Sequence, residues 1–494
     1  MKKKISIIGS GFSSLSAACY MAKAGYEVEV FEKNSDTGGR AQQYVKDGFV
    51  FDMGPTWYWM PDVFEKFFND FGKSSADYYE IEKLDPAYTV YFDENTNFDI
   101  SGKLNEIIDL FESVEKGAGQ KLEKFIEKAK QNYNIAIKDL VYKPGLSPLE
   151  LVNFKTIREF KQFVLTISDY VRQNFRDEKL RQVLEFPVLF LGAKPTNTPL
   201  FYSFMNYADF GLGTWYPKGG MKSVADGFVK LAQELGVVFH LNSPIKQLHV
   251  ADGTITHIET PTQKLEVESV LSGADYAHTE TLLPQSSRVY STEYWNSRTM
   301  APSSLLFYVG FDKKLENVNH HTLFFDGSFD EHAKEIYDNP AWPKNPLFYA
   351  SFPSITDNTV APEGKETATF LIPLAPDLED TEEMRQRYFN IIIERLEKLT
   401  KQEVRKHILF NKSYCVQDFK DDFNSYKGNA YGMANTLFQT AFLRPKLKSK
   451  KVKNLFFTGQ LTVPGPGVPP AIISGKLVSD LIVNQKHATH EVSI

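Results

Sequence analysis

Gly9, Gly11 and Ser14 stand at G-x-G-x-x-G spacing, with serine in the third slot, and Glu32 follows at the end of an alternating segment. Residues of these types in this order bind a dinucleotide. Gly9 permits a tight turn. Gly11 has no Cβ, so a pyrophosphate can approach the backbone and meet the first amides of a helix, those of Phe12 and Ser13. Glu32, with Lys33 beside it, can accept ribose hydroxyls, and its charge disfavours a 2′-phosphate. The expected ligand is FAD or NAD rather than NADP. Gly38-Gly39-Arg40 and Phe51-Asp52-Met53-Gly54-Pro55-Thr56 come next. Gly39, Arg40, Gly54, Pro55 and Thr56 suit a loop passing over a flavin nucleotide, with Arg40 on a phosphate or the ribityl chain. Near the carboxyl end, Thr458-Gly459-Gln460 and Pro464 to Pro470 lead into a helical segment. Gly459, Gln460, Gly467, Val468 and Pro469 form a Gly/Pro loop entering a helix, Pro469 suiting its first turn and the backbone amides of the helix start able to face the flavin N1–C2 carbonyl and stabilise negative charge. Ile245, where a strand begins after Ser243-Pro244, completes the cofactor candidates. Each motif alone reads equally as a rigid turn. Their succession carries the weight.

The elements that must position these residues are legible. Lys4 to Ile8 is an apolar strand, Leu15 to Ala24 a helix ended by Gly25, and Tyr26 to Phe31 a second strand. Met1-Lys2-Lys3-Lys4 before an apolar stretch resembles a secretory leader, but Gly9 and Gly11 interrupt it. Lys103 to Phe175 is mostly helical. Within it, Phe160, Phe163, Val164, Ile167, Tyr170 and Val171 form a stripe flanked by Lys161, Arg172 and Arg176. That stripe reads either as packed core or as a helix on a membrane surface. Two aromatic segments, from Phe186 and from Phe201, could line a long apolar pocket or a buried junction. Alternation of helix and strand returns with Ser223–Leu235, Val237–Leu241, Val267–Ser272 and Asn454–Phe457. The expected class is α/β: a Rossmann-like cofactor domain from residues 1–75, 215–300 and 405–494, with an inserted α+β substrate domain from 76–214 and 301–404. Its helical, membrane-facing part would span about residues 100–185.

Composition excludes several functions. The chain has 494 residues and a net charge of −6, so no nucleic acid is expected as a partner. Two cysteines, Cys19 and Cys415, give neither a disulfide framework nor a zinc site, which fits a reducing cytoplasm. His320-His321 lack further ligands at metal spacing, so no metal is expected. No apolar run is long enough to span a bilayer.

Taken together these motifs resemble the phytoene desaturase family of carotenoid biosynthesis, flavobacterial type, within the flavin amine-oxidase-like superfamily. The resemblance runs nearly end to end. Besides the motifs above it rests on Tyr216-Pro217-Lys218-Gly219-Gly220-Met221, Ala361-Pro362-Glu363-Gly364 and Asn424 to Ala430. The end loop departs from the family pattern, since it has no histidine and reads Gly459-Gln460-Leu461-Thr462-Val463-Pro464. The resemblance implies an FAD-binding domain of glutathione-reductase/amine-oxidase type. It also implies an FAD enzyme that takes hydride from an allylic C–H of a long-chain carotenoid, with phytoene to lycopene as the expected conversion. A later desaturase of a hydroxylated carotenoid, such as a 3,4-desaturase, and a flavin amine oxidase are the alternatives. A non-catalytic flavin-binding protein of the Rab-escort type would relax the end loop, which here is intact. Further implications are attachment to the inner face of the cell membrane and quinone or dioxygen as electron acceptor, with an oligomer open. Asp177 and Arg181, with Glu185 on the same polar helix, are candidates for a proton acceptor or orienting group. Pairing on a solvated helix face is their plain alternative.

Overall fold

The computed structural model describes residues 2–147, 150, 161–436 and 438–491. Ile5, Ile7 and Ile8 make the strand Lys4–Ile8 apolar on both faces, and Glu27–Phe31 lies parallel to it, with Lys4 opposite Glu27 and Ile8 opposite Phe31. A parallel pair needs a crossover helix, and Phe12–Lys23 supplies it, buried along most of its length. The completed sheet has five strands in the order Leu455–Phe457, Val270–Ser272, Lys4–Ile8, Glu27–Phe31, Val238–His240. Early, middle and late chain therefore meet side by side. The final helix, Val468–Glu491, closes on the first helix at Gly475. A Cβ there would stand 2.5 Å from the Ser13 carbonyl oxygen and 2.7 Å from Ser16 Cβ, so only glycine allows this approach.

A second sheet has seven strands in the order Ile408–Tyr414, Ser303–Phe311, Glu366–Leu374, Phe348–Ser351, His321–Phe324, Tyr88–Asp93, Thr96–Ile100. Its pairs are antiparallel except that between His321–Phe324 and Tyr88–Asp93. Side chains alternate across it as the pleat requires. Leu305, Phe307 and Val309 share a core with Ile392, Ile393 and Leu396 of the helix Glu382–Thr400. Leu306 and Tyr308 meet Phe49 and Phe51 on the other face. Ile408–Tyr414, expected with the cofactor segment 405–494, belongs here instead, pairing Ser413 with Phe307 and Lys412 with Tyr308. Its pattern specifies a strand but not a partner, and the long-range pairing decides.

The helical region comprises Leu104–Val114, Ala118–Ile135, Lys161–Val164, Ile167–Asn174 and Glu178–Glu185. Among the described residues no helix is long and apolar enough to cross a membrane. The expected stripe from Phe160 is broken: Phe160 lies outside the described residues, one helix ends at Val164, and Thr166 caps the next through a reciprocal box with Asp169. Ile167, Val171 and Phe175 face the protein core, and Arg172 pairs with Asp330 and Glu185 rather than fringing a lipid face. Val164 is the exposed apolar residue of the stripe.

Candidate functional site

Residues from both sheets and the helical region line one cavity of about 820 Å³. Every cofactor candidate reaches it: Gly9, Gly11, Phe12, Ser13, Glu32 and Lys33; Gly39, Arg40, Gly54, Pro55 and Thr56; Ile245; and Gly459, Gln460, Gly467, Val468 and Pro469. Gly9 has φ +87°, a conformation that glycine adopts without strain. A Cβ on Gly11 would meet nothing within 4 Å, so the first helix begins against open space on the cavity wall. Ser14 takes the third glycine position because the facing loop yields: a Cβ on Gly273 would lie 2.0 Å from Ser14 Oγ.

Glu32 is buried and fixed by the turn. Its Oε2 accepts from Ser10 N at 2.8 Å and Ser10 Oγ at 2.6 Å, and its Oε1 accepts from Asn34 N at 2.9 Å. Oε1 keeps a lone pair for a ribose hydroxyl. Arg40 Nη2 donates to Ser425 Oγ at 3.0 Å, while its buried Nε has no partner among the described residues. With the Gln460 amide turned to satisfy its neighbours, its oxygen accepts from Arg40 Nη2 at 3.0 Å and its nitrogen donates to the Tyr431 carbonyl at 3.3 Å. Burial lowers the Arg40 pKa, and nearby Asp275 opposes that. These groups fit a bound dinucleotide: a backbone opening, a ribose acceptor and a guanidinium with an unused N–H.

Beyond Thr56 the wall turns aromatic. Trp57 contacts Phe186 at 5.6 Å and Trp59 at 5.2 Å between ring centroids and stacks on His321 at 4.1 Å. The Tyr349 hydroxyl sits 2.9 Å from Thr56 Oγ1 and 2.7 Å from His321 Nδ1. Burial holds His321 well below its ordinary pKa and neighbouring His320 adds to this, so the imidazole is neutral. Burial likewise pushes His320 down to about 3, and its Nδ1 lies 2.8 Å from Thr356 Oγ1. Among the described residues no group of His, Cys, Asp and Glu could hold a metal ion. Behind the aromatic wall, Asp209 accepts from Tyr88 Oη at 2.8 Å and from Thr214 Oγ1 at 3.4 Å, and Thr214 Oγ1 accepts Trp59 Nε1 at 2.8 Å. Burial raises Asp209 to about 7.

Asp177 and Arg181 do not line this cavity. Asp177 caps the helix Glu178–Glu185, accepting from Lys179 N and Leu180 N, and Arg181 Nε donates to the Phe175 carbonyl. Glu185 is buried against Ser168 and Arg172. Tyr349, from a strand of the second sheet, reaches the wall beside Thr56, and His321, from the neighbouring strand, stands behind it on the Tyr349 hydroxyl. Their only trace in the sequence is the unexplained His320-His321 pair.

Residues 12–483 match the family described as flavin containing amine oxidoreductase. The chain belongs to this family. As a flavin containing amine oxidoreductase it is an FAD-dependent oxidoreductase. It is 38% identical to the carotenoid 3,4-desaturase of Haloarcula japonica, over 97% of this chain and 98% of that one. It is 29% identical to the zeta-carotene-forming phytoene desaturase of Myxococcus xanthus, over 98% and 95% of the two chains. These relatives are carotenoid desaturases, as the motifs imply. An oxidoreductase from Methanosarcina mazei shares the fold, with a TM-score of 0.66 over 97% of this chain and 100% of that chain at 17% identity.

Proposed function

We propose that this protein is an FAD-dependent carotenoid desaturase that oxidises a CH–CH unit of a long acyclic polyene, acting late in the sequence as a 3,4-desaturase. The observation that carries the reading is the continuity of the dinucleotide cradle with an aromatic, apolar arm in one cavity. The more similar relative named above is a 3,4-desaturase and the phytoene desaturase is the more distant, which favours a hydroxylated carotenoid over phytoene as substrate.

FAD, when bound, supplies a hydride acceptor at N5. The chain's own residues do the rest. Gly9, Gly11 and the first helix would hold the pyrophosphate, Glu32 would take the ribose, and Arg40 and Gln460 fix the loop beside them. Trp57 and Phe186 offer π-faces to the allylic cation that develops as hydride leaves one carbon. A proton leaves the neighbouring carbon, and the double bond forms. The Tyr349 hydroxyl, hydrogen-bonded between Thr56 Oγ1 and the neutral His321 Nδ1, relays that proton from the wall to the imidazole, giving up its own proton as it takes the new one. Segments around the five-stranded sheet form the FAD unit, and the seven-stranded sheet with the helical region forms the substrate unit.

The cavity extends to Leu140, Val141, Gly145, Phe163 and Leu443. Around these, Leu146, Val164, Phe438 and Leu443 are exposed. Such a rim suits entry of a lipid-dissolved substrate from a membrane surface, with quinone or dioxygen taking the electrons afterwards. Co-expression with pathways that accumulate either phytoene or a hydroxylated acyclic carotenoid, followed by chromatography of the pigments, tests the reading. Added conjugation on the hydroxylated substrate is expected. Conversion of phytoene alone would return the function to the earlier step, and conversion of neither would refute it.

A further inference from the structure

Arg444 is 1% exposed, yet among the described residues no carboxylate pairs with it. Its Nε donates to the Thr462 carbonyl at 2.8 Å, Nη1 to Asn435 Oδ1 at 2.7 Å and the Gln439 carbonyl at 3.0 Å, and Nη2 to the carbonyls of Met433 at 3.0 Å and Gln460 at 2.7 Å. All the N–H groups of a guanidinium are thereby used, each by a neutral oxygen. Arg385 and Arg395, by contrast, are paired, Arg385 with Asp380 and Asp418 and Arg395 with Asp326, and Arg40 has Asp275 nearby. Burial lowers Arg444 to about 10, which leaves it charged at neutral pH.

Five N–H groups tie these loops to one side chain, and the charge that comes with them is left without a partner. A buried cation without a countercharge is costly, and its place suggests what offsets the cost. Asn435, Gln460, Leu461 and Val463 all line the cavity, so the guanidinium stands one carbonyl behind the wall of the cofactor loop. A trans peptide holds its N–H opposite its C=O. Arg444 therefore draws the Gln460 and Thr462 oxygens to itself and fixes the Leu461 and Val463 N–H groups on the other side.

We propose that Arg444 is a positioning residue whose unpaired charge stabilises the reduced flavin and raises its reduction potential. The inference rests on the reading of this cavity as the FAD site. Hydride uptake brings two electrons and one proton, so it adds one negative charge beside the loop. The substrate loses that hydride and a proton and gains a C=C bond. Reoxidation passes two electrons and the hydride's proton, with one more from solvent, to a quinone or dioxygen. The countercharge missing from the protein is thus supplied by turnover itself.

The test is a dye-equilibrated redox titration of the purified full-length protein with FAD bound, on wild type and on Arg444→Gln, Arg444→Lys and Asn435→Asp. The Gln variant removes the charge, and the Asp variant neutralises it with little change of shape. Both are expected to lower the relative affinity for reduced over oxidised flavin at least tenfold, about 30 mV for a two-electron couple. The Lys variant is expected to keep the potential while losing thermal stability. Potentials equal to wild type in the Gln and Asp variants, or a Lys variant shifted as far as Gln, would overturn the proposal. If the Gln variant does not fold, the Asp variant decides. FAD content is read first: wild-type protein that binds no FAD fails the functional reading instead.

Discussion

The cofactor cradle and the aromatic arm share one cavity but are built from different materials. The cradle is backbone. Gly9, Gly38, Gly39, Gly459 and Gly467 all take positive φ, and the open face at Gly11 exists because a side chain is missing. The arm is side chain. Trp57, Phe186 and Tyr349 make it by filling space, and Asp209 braces it from behind through Tyr88 and Thr214. Backbone surfaces depend on a few local positions and fail outright when one is changed. Side-chain surfaces spread the same task over many residues and should fail by degrees.

The sharpest way to break this contrast is at Gly54. A Cβ there would stand 2.2 Å from the Arg40 carbonyl oxygen, a backbone atom that cannot swing aside. Gly54→Ala is expected to lose more than nine-tenths of bound FAD, and with it all turnover, as read by flavin absorbance per protein. A variant with full FAD would show that the cradle can shift. Phe186→Ala probes the other side. It should retain FAD, lower product formation by roughly tenfold, and cost about 3 kcal/mol in denaturant unfolding, within the range for phenylalanine truncation in a core. Loss of FAD from this variant would mean that the two regions are not separable.

The same contrast explains what could be read before the structure. The cradle's residues cluster within short motifs whose order implies a strand, a turn and a helix, so each of them reaches the cavity. The arm cannot be read that way, because Trp57, Phe186, Leu323 and Tyr349 are neighbours only after Leu323 has paired with Tyr349 in the seven-stranded sheet and the loop after Thr56 and the helical region have packed against it. Ile408–Tyr414 shows the limit for strands: its pattern fits either sheet, and only its register against Ser303–Phe311 chooses. Ser14 shows it for motifs, since the compensating Gly273 lies far along the chain. A helix stripe fails differently. Ile167, Val171 and Phe175 are apolar at the right spacing, but spacing cannot say whether the covering surface is lipid or protein, and here it is protein.

A smaller effect separates the arm's brace from its lining. Burial raises Asp209 from the ordinary 3.8 to about 7, so the folded protein holds a proton that the unfolded chain releases between those values. Stability from this group is therefore greatest below pH 3.8 and declines as pH rises toward 7. Asp209→Asn removes the titration. The wild-type midpoint of thermal unfolding should fall across that window relative to the variant's, while FAD content stays the same in both. Parallel pH profiles would mean that Asp209 does not carry the proton.

The smallest expected change lies outside both regions, at the polar helix that sequence alone offered as catalytic. Asp177 receives Lys179 N at 2.9 Å and Leu180 N at 3.2 Å, which is the work of an N-cap. Its carboxylate has no path to the cavity wall, whereas Tyr349 Oη lies within hydrogen-bond distance of Thr56. Asp177→Ala should cost about 1 kcal/mol of stability, the usual value of a lost cap, and leave FAD content and pigment formation unchanged. Tyr349→Phe should do the reverse, slowing product formation with little loss of stability. A helix cap and a proton acceptor can both be aspartate on a polar helix. Only the pair of variants, scored for stability and for product, tells which task the residue performs, and a drop in pigment from Asp177→Ala at unchanged stability would restore it to the chemistry.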